Sequence, residues 1–322
     1  MRTCIEGLIP ISMATLSPKA LLGIDIYLKP NAEAQPVLFC ASDELPDFER
    51  LVPLITQGMN KLFIDRTDRG RYQEYLRENW KELLSDESQP ITNRVAVMSE
   101  VMRDVLSEEF QQGDTADIVL ASQQIGKGTC QLLEDQNIVA RQLCSVLHHD
   151  YATFTHCTNV SLYCVLLARE LGYGGEELQQ IAVGGLLHDL GKLQIDERIL
   201  TKPGRLDEFE FREIQKHPVT GFAELVNRDD LSEGQLMMAY QHHERLNGTG
   251  YPVGCLGNEI HPWAKICAVV DVYEALTSQR PYRLPMTHKT ALAVLEKGKA
   301  TEFDVELVDC WHKLIQRKDD HS

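Results

Sequence analysis

Hydrophobic and polar positions change their rhythm along the chain. Gly23-Ile24-Asp25-Ile26-Tyr27-Leu28-Lys29 alternates with period two, the pattern of a half-buried strand. Leu8-Ile9-Pro10-Ile11 reads as a short strand. Val37-Leu38-Phe39-Cys40 reads as the hairpin partner of the 23–29 strand, reached through the turn-rich Pro30-Asn31-Ala32-Glu33. A helix around Asp47–Met59, a strand at Lys61–Asp65 and a second helix follow; Tyr72, Tyr75, Leu76, Trp80, Leu83 and Leu84 recur there at helical spacing. Between Asp86 and Asp135 the rhythm is wholly helical, with Ile91, Val95, Met98, Met102, Val105 and Leu106 forming one apolar stripe. Gln111-Gln112-Gly113-Asp114 interrupts it, and Asp114 is suited to cap the next helix. From Gln136 onward the pattern stays helical, broken at Pro203-Gly204, Asn247-Gly248-Thr249-Gly250 and Tyr251-Pro252. These elements predict a mainly α protein. A small α+β N-terminal domain (residues 1–85) precedes a helical connector (86–135) and an all-helical bundle (136–322). The connector must bury its stripe, either on the bundle or against a second copy in a homodimer.

Polar residues in the wrong places mark the chemistry. Leu186-Leu187-His188-Asp189-Leu190-Gly191-Lys192 follows the apolar run Ile181-Ala182-Val183-Gly184-Gly185, which reads as a buried helix end. A buried carboxylate must be paired, protonated or bound to metal. Adjacent helical residues point roughly 100° apart, so His188 and Asp189 do not share one solvated face. One reading is a His–Asp hydrogen bond tying two helices; the other is a metal pair with the Asp bridging. Further residues of the same kind favour the second. His156 sits in the amphipathic run Tyr151–Leu171, His217 precedes Pro218, and His242-His243 end a helical run that starts at Glu233. Asp271 is the sole charge in Ile266-Cys267-Ala268-Val269-Val270-Asp271-Val272-Tyr273, a run apolar all round and therefore a buried helix. Five imidazoles and two carboxylates in such positions point to a dinuclear metal centre between helices.

In this order, His156, His188-Asp189-x-Gly191-Lys192 and Asp271 resemble the HD superfamily of metal-dependent phosphohydrolases. Further stretches are similar to its HD-GYP branch: Lys202-Pro203-Gly204-x-Leu206, His217-Pro218-x-x-Gly221, His242-His243-Glu244-x-x-Asn247-Gly248-x-Gly250-Tyr251-Pro252 and Asp271-x-x-x-Ala275-Leu276-Thr277-Ser278-x-Arg280-Pro281-Tyr282-Arg283. The resemblance covers about Val139 to Ile315 and implies a phosphodiesterase that opens cyclic di-GMP to linear pGpG. It implies one metal on His156, His188, Asp189 and Asp271, and a second on His217, His242 and His243 with Asp189 as bridge. Two such ions follow the logic of in-line phosphoryl displacement. Iron or manganese is expected, and zinc or nickel also suits this donor set. Asp189 and Lys192 are the expected catalytic residues, Lys192 meeting a substrate phosphate or developing negative charge. Arg280 and Arg283 are expected phosphate clamps, with surface salt bridges as their alternative, and Gly250 and Tyr251 an expected pocket wall. Two departures stand out. Asn247 replaces the usual Asp before the GYP loop but can still accept a turn hydrogen bond. Glu274 replaces an Asp and could reach a metal or a ligand His. Some members hold a third ion through a Glu one turn before the first His; here that position is Ala152, so two ions are expected. Two other readings remain: a hydrolase of another cyclic dinucleotide, and a catalytically weak cyclic di-GMP receptor signalling through its N-terminal domain.

Composition narrows the class. A net charge of −16 argues against a nucleic-acid polymer as partner, which needs a basic footprint. An anionic substrate must then be drawn in by a local positive site. The cysteines number 9, none in CxxC spacing, and read as reduced thiols of a cytoplasmic protein. The N-terminus shows no secretory pattern and no apolar run long enough to span a membrane is present. The N-terminal domain carries no catalytic constellation. It is similar to small domains that precede some HD-GYP domains, so a ligand- or partner-binding role is expected, with a structural cap as alternative.

Overall fold

The N-terminal strands form one antiparallel sheet. A computed structural model describes residues 7–17, 20–29, 34–56, 59, 61–85, 91–112, 114–134, 153–279 and 283–317. It divides into two compact units, Met1–Asp104 and Val105–Ser322. In the first, β1 (Leu8–Ser12), β2 (Ile26–Leu28), β3 (Val37–Cys40) and β4 (Lys61–Asp65) are ordered β1-β4-β2-β3. The expected β2–β3 hairpin pairing is present. β2 is shorter than its alternating pattern, because Gly23 takes φ +69° and breaks the extended chain before Ile26. Helices α1 (Phe48–Thr56) and α2 (Arg69–Ser85) belong to the same unit. Ile11, Ile26, Leu51, Leu62, Ile64 and Leu76 are its buried core. α2 is fixed by its tyrosines: Tyr75 Oη donates to Thr15 O (3.0 Å) and accepts from Ser17 N (2.9 Å).

Helix α3 (Ile91–Gln112) crosses the division between the units. Of its stripe, Val95, Met98, Met102 and Leu106 are at 1% exposure or less. Asp114 then caps α4 (Thr115–Glu134), its Oδ1 accepting from Ala116 N at 2.8 Å. α4 packs on α6 (Gly175–Leu187), so this half of the expected connector is part of the helical unit.

The centre of that unit is α5 (Thr153–Glu170). The sequence reads as amphipathic, yet every residue from Thr155 to Ala168 is buried. The small polar side chains that imitate a solvated face are instead absorbed inside; Ser161 Oγ donates to Ala182 O at 2.7 Å. A Cβ on Gly185 would lie 2.7 Å from Ser161 Cα, so α5 and α6 meet almost backbone to backbone. Around α5 and α6 stand α9 (His217–Leu225), α10 (Glu233–Gln241), α11 (Pro262–Thr277), α12 (His288–Gly298) and α13 (Val305–Gln316). Short helices α7 (Glu197–Leu200) and α8 (Glu208–Ile214) fill the connection before α9. Tyr163, Tyr273 and Trp311 pack ring to ring between α5, α11 and α13. No helix among the described residues is long and apolar enough to cross a membrane.

Candidate metal centre

Five segments converge on one buried point. α5 supplies His156 from its first turns. α6 ends at Leu187 and presents His188 as its C-cap, with Asp189 next. α9 opens with His217, α10 hands over to His242 as its C-cap, and α11 carries Asp271 in its middle. Asp189 Oδ2 lies 3.4 Å from His156 Nε2 and 3.5 Å from His188 Nε2. Its Oδ1 lies 3.2 Å from His217 Nε2 and 3.7 Å from His242 Nε2. Asp271 spans the other side, 3.1 Å from His156 Nε2 and 4.0 Å from His243 Nδ1. The glycines of the two motifs make this approach possible. A Cβ on Gly191 would sit 2.1 Å from His217 O and 2.6 Å from Gly221 N. Only a residue without a side chain lets the turn after Asp189 rest on the start of α9. All seven sequence-picked side chains therefore meet in one place.

Two ligand-capable groups share Asp189: His156, His188 and Asp189, and Asp189, His217, His242 and His243. Their hydrogen bonds fix the tautomers. Main-chain carbonyls only accept, so the Nδ1 atoms of His188 (to Gly185 O, 2.8 Å), His217 (to Ile214 O, 2.7 Å) and His242 (to Met238 O, 2.9 Å) all carry hydrogen. Their Nε2 atoms then present lone pairs. His217 Nε2 and His242 Nε2 face each other at 3.1 Å, lone pair towards lone pair. His188 Nε2 and Asp189 Oδ1 are buried with no hydrogen-bond partner. Such an array repels itself in a dry interior unless a cation lies among it. The residues fit a metal centre.

The protonation pattern agrees. Burial pushes His188 down to about 3 and also lowers His217 and His243, which keeps these rings neutral as ligation requires. Against its burial, Asp189 is held well below the usual carboxylate range by Lys192 and His188, and Asp271 by His156 and His243. His156 goes the other way. Against its own burial, Glu274, Asp189 and Asp271 raise it to about 10. The carboxylates thus draw positive charge to this point.

Beyond these side chains the structure assigns more specific places. Lys192 Nζ donates to Asp189 Oδ2 at 2.5 Å, beside the centre. Glu274 hydrogen-bonds a ligand-capable His: its Oε2 accepts from His156 Nδ1 at 2.5 Å. Asn247 makes the expected turn, accepting from Thr249 N (3.1 Å) and Thr249 Oγ1 (2.7 Å). Gly250 has a packing role. A Cβ there would lie 2.4 Å from Glu244 Cα and 2.6 Å from His243 O, so Gly250 seats the loop directly on the histidine segment. Tyr251 covers His243, its N–H donating to His243 O at 3.3 Å. Arg283 closes α11, donating to Ala275 O (2.6 Å) and Leu276 O (3.0 Å). Arg280 and Ala152 lie outside the described residues.

Sequence reasoning passed over Glu244. This carboxylate is 2% exposed and accepts from Val253 N (2.8 Å) and Gly254 N (3.0 Å), folding the loop back on itself. The signal was present in His242-His243-Glu244, a charge that continues a buried pair.

Residues 79–307 match the family model described as HD domain. The chain belongs to the HD domain family. Its motifs are those of the HD-GYP branch, the family of metal-dependent hydrolases that the sequence resembles. It is 38% identical over 163 residues to 3'3'-cGAMP-specific phosphodiesterase 3 of Vibrio cholerae, covering 51% of this chain and 35% of that protein. It is 35% identical over 176 residues to the cyclic di-GMP phosphodiesterase response regulator RpfG of Xanthomonas campestris, covering 54% of this chain and 47% of the relative. The chain thus spans less than half the length of these curated relatives. The same fold is seen in Bd1817, an HDG"Y"P protein from Bdellovibrio bacteriovorus, at TM-score 0.69 and 17% identity, covering 96% of this chain and 100% of that one.

Proposed function

We propose that this HD domain is a phosphodiesterase that opens cyclic di-GMP to linear pGpG at a dinuclear metal centre. The observation that carries the reading is the pair of ligand-capable groups sharing Asp189, with lone pairs facing one another inside a buried site. One ion would be held by His156, His188, Asp189 and Asp271, and the other by His217, His242, His243 and the shared Asp189. Bound divalent ions supply Lewis acidity at the phosphodiester and activation of water. The donor set is imidazole and carboxylate, which suits iron or manganese and also admits zinc or nickel.

The chain's own residues set up the displacement. Water adds to phosphorus, the P–O3′ bond breaks, and O3′ leaves with a proton, which gives the 5′-phosphate end of pGpG. Lys192 stands at the edge of the centre on Asp189, where its ammonium can meet the negative charge that develops in the transition state. Gly250 and Tyr251, the latter stacked on His243, are the proposed wall on one side of the site. Arg280, and the donors of Arg283 that the helix end leaves over, are the proposed phosphate contacts. The N-terminal α+β unit is proposed to bind a ligand or partner protein, and the thiols of the described residues, free and mostly buried, suit a reducing cytoplasm.

A second reading has its own support: a 38%-identical relative bears the name of a 3'3'-cGAMP-specific phosphodiesterase. One experiment separates the two. Metal-loaded protein is incubated anaerobically with cyclic di-GMP or with 3'3'-cGAMP, and the products are resolved by chromatography. Faster conversion of cyclic di-GMP to pGpG is expected. Preference for cGAMP moves the assignment to the second reading, and binding without turnover moves it to a receptor.

A further inference from the structure

We infer that the two ligand groups are unequal, and that Glu274 makes the group around His156 the tighter site for a hard ion such as Mn²⁺. This rests on the dinuclear reading above and deepens it. The difference lies behind the ligands. His188, His217 and His242 each lean on main-chain carbonyls through Nδ1. His156 leans on a carboxylate, with Glu274 Oε2 at 2.5 Å from its Nδ1. A carbonyl and a carboxylate both orient a ring, but the carboxylate also pushes charge onto it. A carboxylate-backed imidazole is the more basic donor, and such backing typically changes metal affinity by about 10- to 100-fold.

Glu274 is built for this task. It is fully buried at 0% exposure, one helical turn beyond Asp271 on α11. Its second oxygen, Oε1, accepts from Asn159 Nδ2 at 3.0 Å and from Ser278 Oγ at 2.5 Å. Those donors hold the carboxylate against rotation, so Oε2 stays on His156. Asn159 itself stands three residues after His156 on α5, and the ring and its backing are therefore fixed from the same two helices. The ligand sets differ in the same direction. The His156 group combines two imidazoles with Asp189, and Asp271 Oδ1 lies 3.1 Å from His156 Nε2. The other group combines three imidazoles with the shared Asp189. Oxygen-rich sets suit Mn²⁺, and imidazole-rich sets suit softer ions. Glu274 is then a positioning residue that acts through His156.

The test is a Mn²⁺ titration of the metal-stripped full chain, followed by calorimetry and by electron paramagnetic resonance. Wild type should show two steps, with the isolated-ion signal first and the coupled-pair signal after it. Glu274→Gln keeps the shape and a neutral acceptor. It should weaken the first step by about 10- to 100-fold and leave the second unchanged, so that the isolated-ion phase shrinks. His156→Ala should abolish the first step. Equal weakening of both steps by Glu274→Gln, or no change in either with an unchanged circular dichroism spectrum, overturns the inference. If Glu274→Gln does not fold, Ser278→Ala decides. It removes one of the two donors that hold Oε1 while keeping the carboxylate and should weaken only the first step, and an unchanged first step overturns the inference. Wild type that takes up no Mn²⁺ overturns the dinuclear reading itself, an outcome separate from two equal steps.

Discussion

The ring of Tyr251 lies stacked on the imidazole of His243, centroids 4.6 Å apart and planes at 27°. The stack depends on a loop that Glu244 holds shut through Val253 N and Gly254 N. Removing that carboxylate strands two amides at the loop's turn, which costs about 1–3 kcal/mol. Glu244→Ala is therefore expected to lower the denaturation midpoint and to raise KM, because Tyr251 loses its fixed place. Tyr251→Phe preserves the stack and should retain metal and most turnover. Equal KM values for Glu244→Ala and wild type would count against the loop as a wall of the site.

Gly191 offers a sharper structural test. Its missing Cβ would meet His217 O at 2.1 Å, with Gly221 N and Thr220 Oγ1 at 2.6 Å. Backbone on the far side cannot swing away, so Gly191→Ala should cost about 3 kcal/mol or more and move Asp189 away from His217. Gly174, the N-cap of α6, has open space around its Cβ position and extended φ, −155°. Gly174→Ala should stay within about 1 kcal/mol of wild type. Chemical denaturation and bound-metal content of the two variants check the contrast.

The sequence discloses the ligand-capable residues because each breaks a local rule. A carboxylate inside Ile266–Tyr273, or a His–Asp pair after a greasy helix end, has no cheap place in a core. What stays hidden is whatever depends on chain closure. Glu244 looks like any charge after His243 until the loop returns to Val253. Arg283 looks like an anion clamp until its guanidinium is found on the last carbonyls of α11. α5 shows a different limit. Asn159 and Ser161 imitate a wet face, because hydropathy does not register small polar groups that find partners inside. The stripe on α3 likewise shows that a face is buried, but periodicity carries no information about what buries it. Nor does it show that α4 belongs with the helical unit.

Arg283 and Arg280 are expected to respond differently. Arg283→Ala removes donors from the end of α11 and should lower stability by about 1–2 kcal/mol. Arg283→Lys should recover only part of it, since an ammonium lacks the guanidinium fork. Arg280→Ala should raise KM and leave the melting temperature near wild type. A large KM effect without loss of stability in Arg283→Ala would return that side chain to the phosphate site.

Chelation should be felt by the fold as well as by the activity. The centre joins α5, α6, α9, α10 and α11, and an ion that binds only the folded state stabilises it by about 3 kcal/mol at a hundredfold excess over Kd. Calorimetry with and without a chelator should therefore show a drop of several degrees in Tm. Asp189→Ala should largely erase the difference, because both ligand groups depend on that carboxylate. An unchanged chelator effect in Asp189→Ala would remove Asp189 from the centre.

The number of ions is the last expectation. The resemblance implies that a third ion needs a Glu four residues before the first His. Here that residue is Ala152, and a methyl group offers no donor. Glu274, the other nearby carboxylate, is engaged with His156, Asn159 and Ser278, so it already has an occupation on the far side of the ring. Two ions per chain are expected by elemental analysis of protein loaded under reducing conditions. Two ions held by these residues would supply charge for one phosphodiester, whereas the linear product carries a terminal phosphate with more charge to neutralise. The second hydrolysis should then lag, and pGpG should accumulate well before any mononucleotide in a time course. Three well-occupied ions in the wild-type chain would refute the count, and prompt release of GMP would refute the lag. Ala152→Glu gives the converse check: it should raise the metal content towards three and shorten the lag.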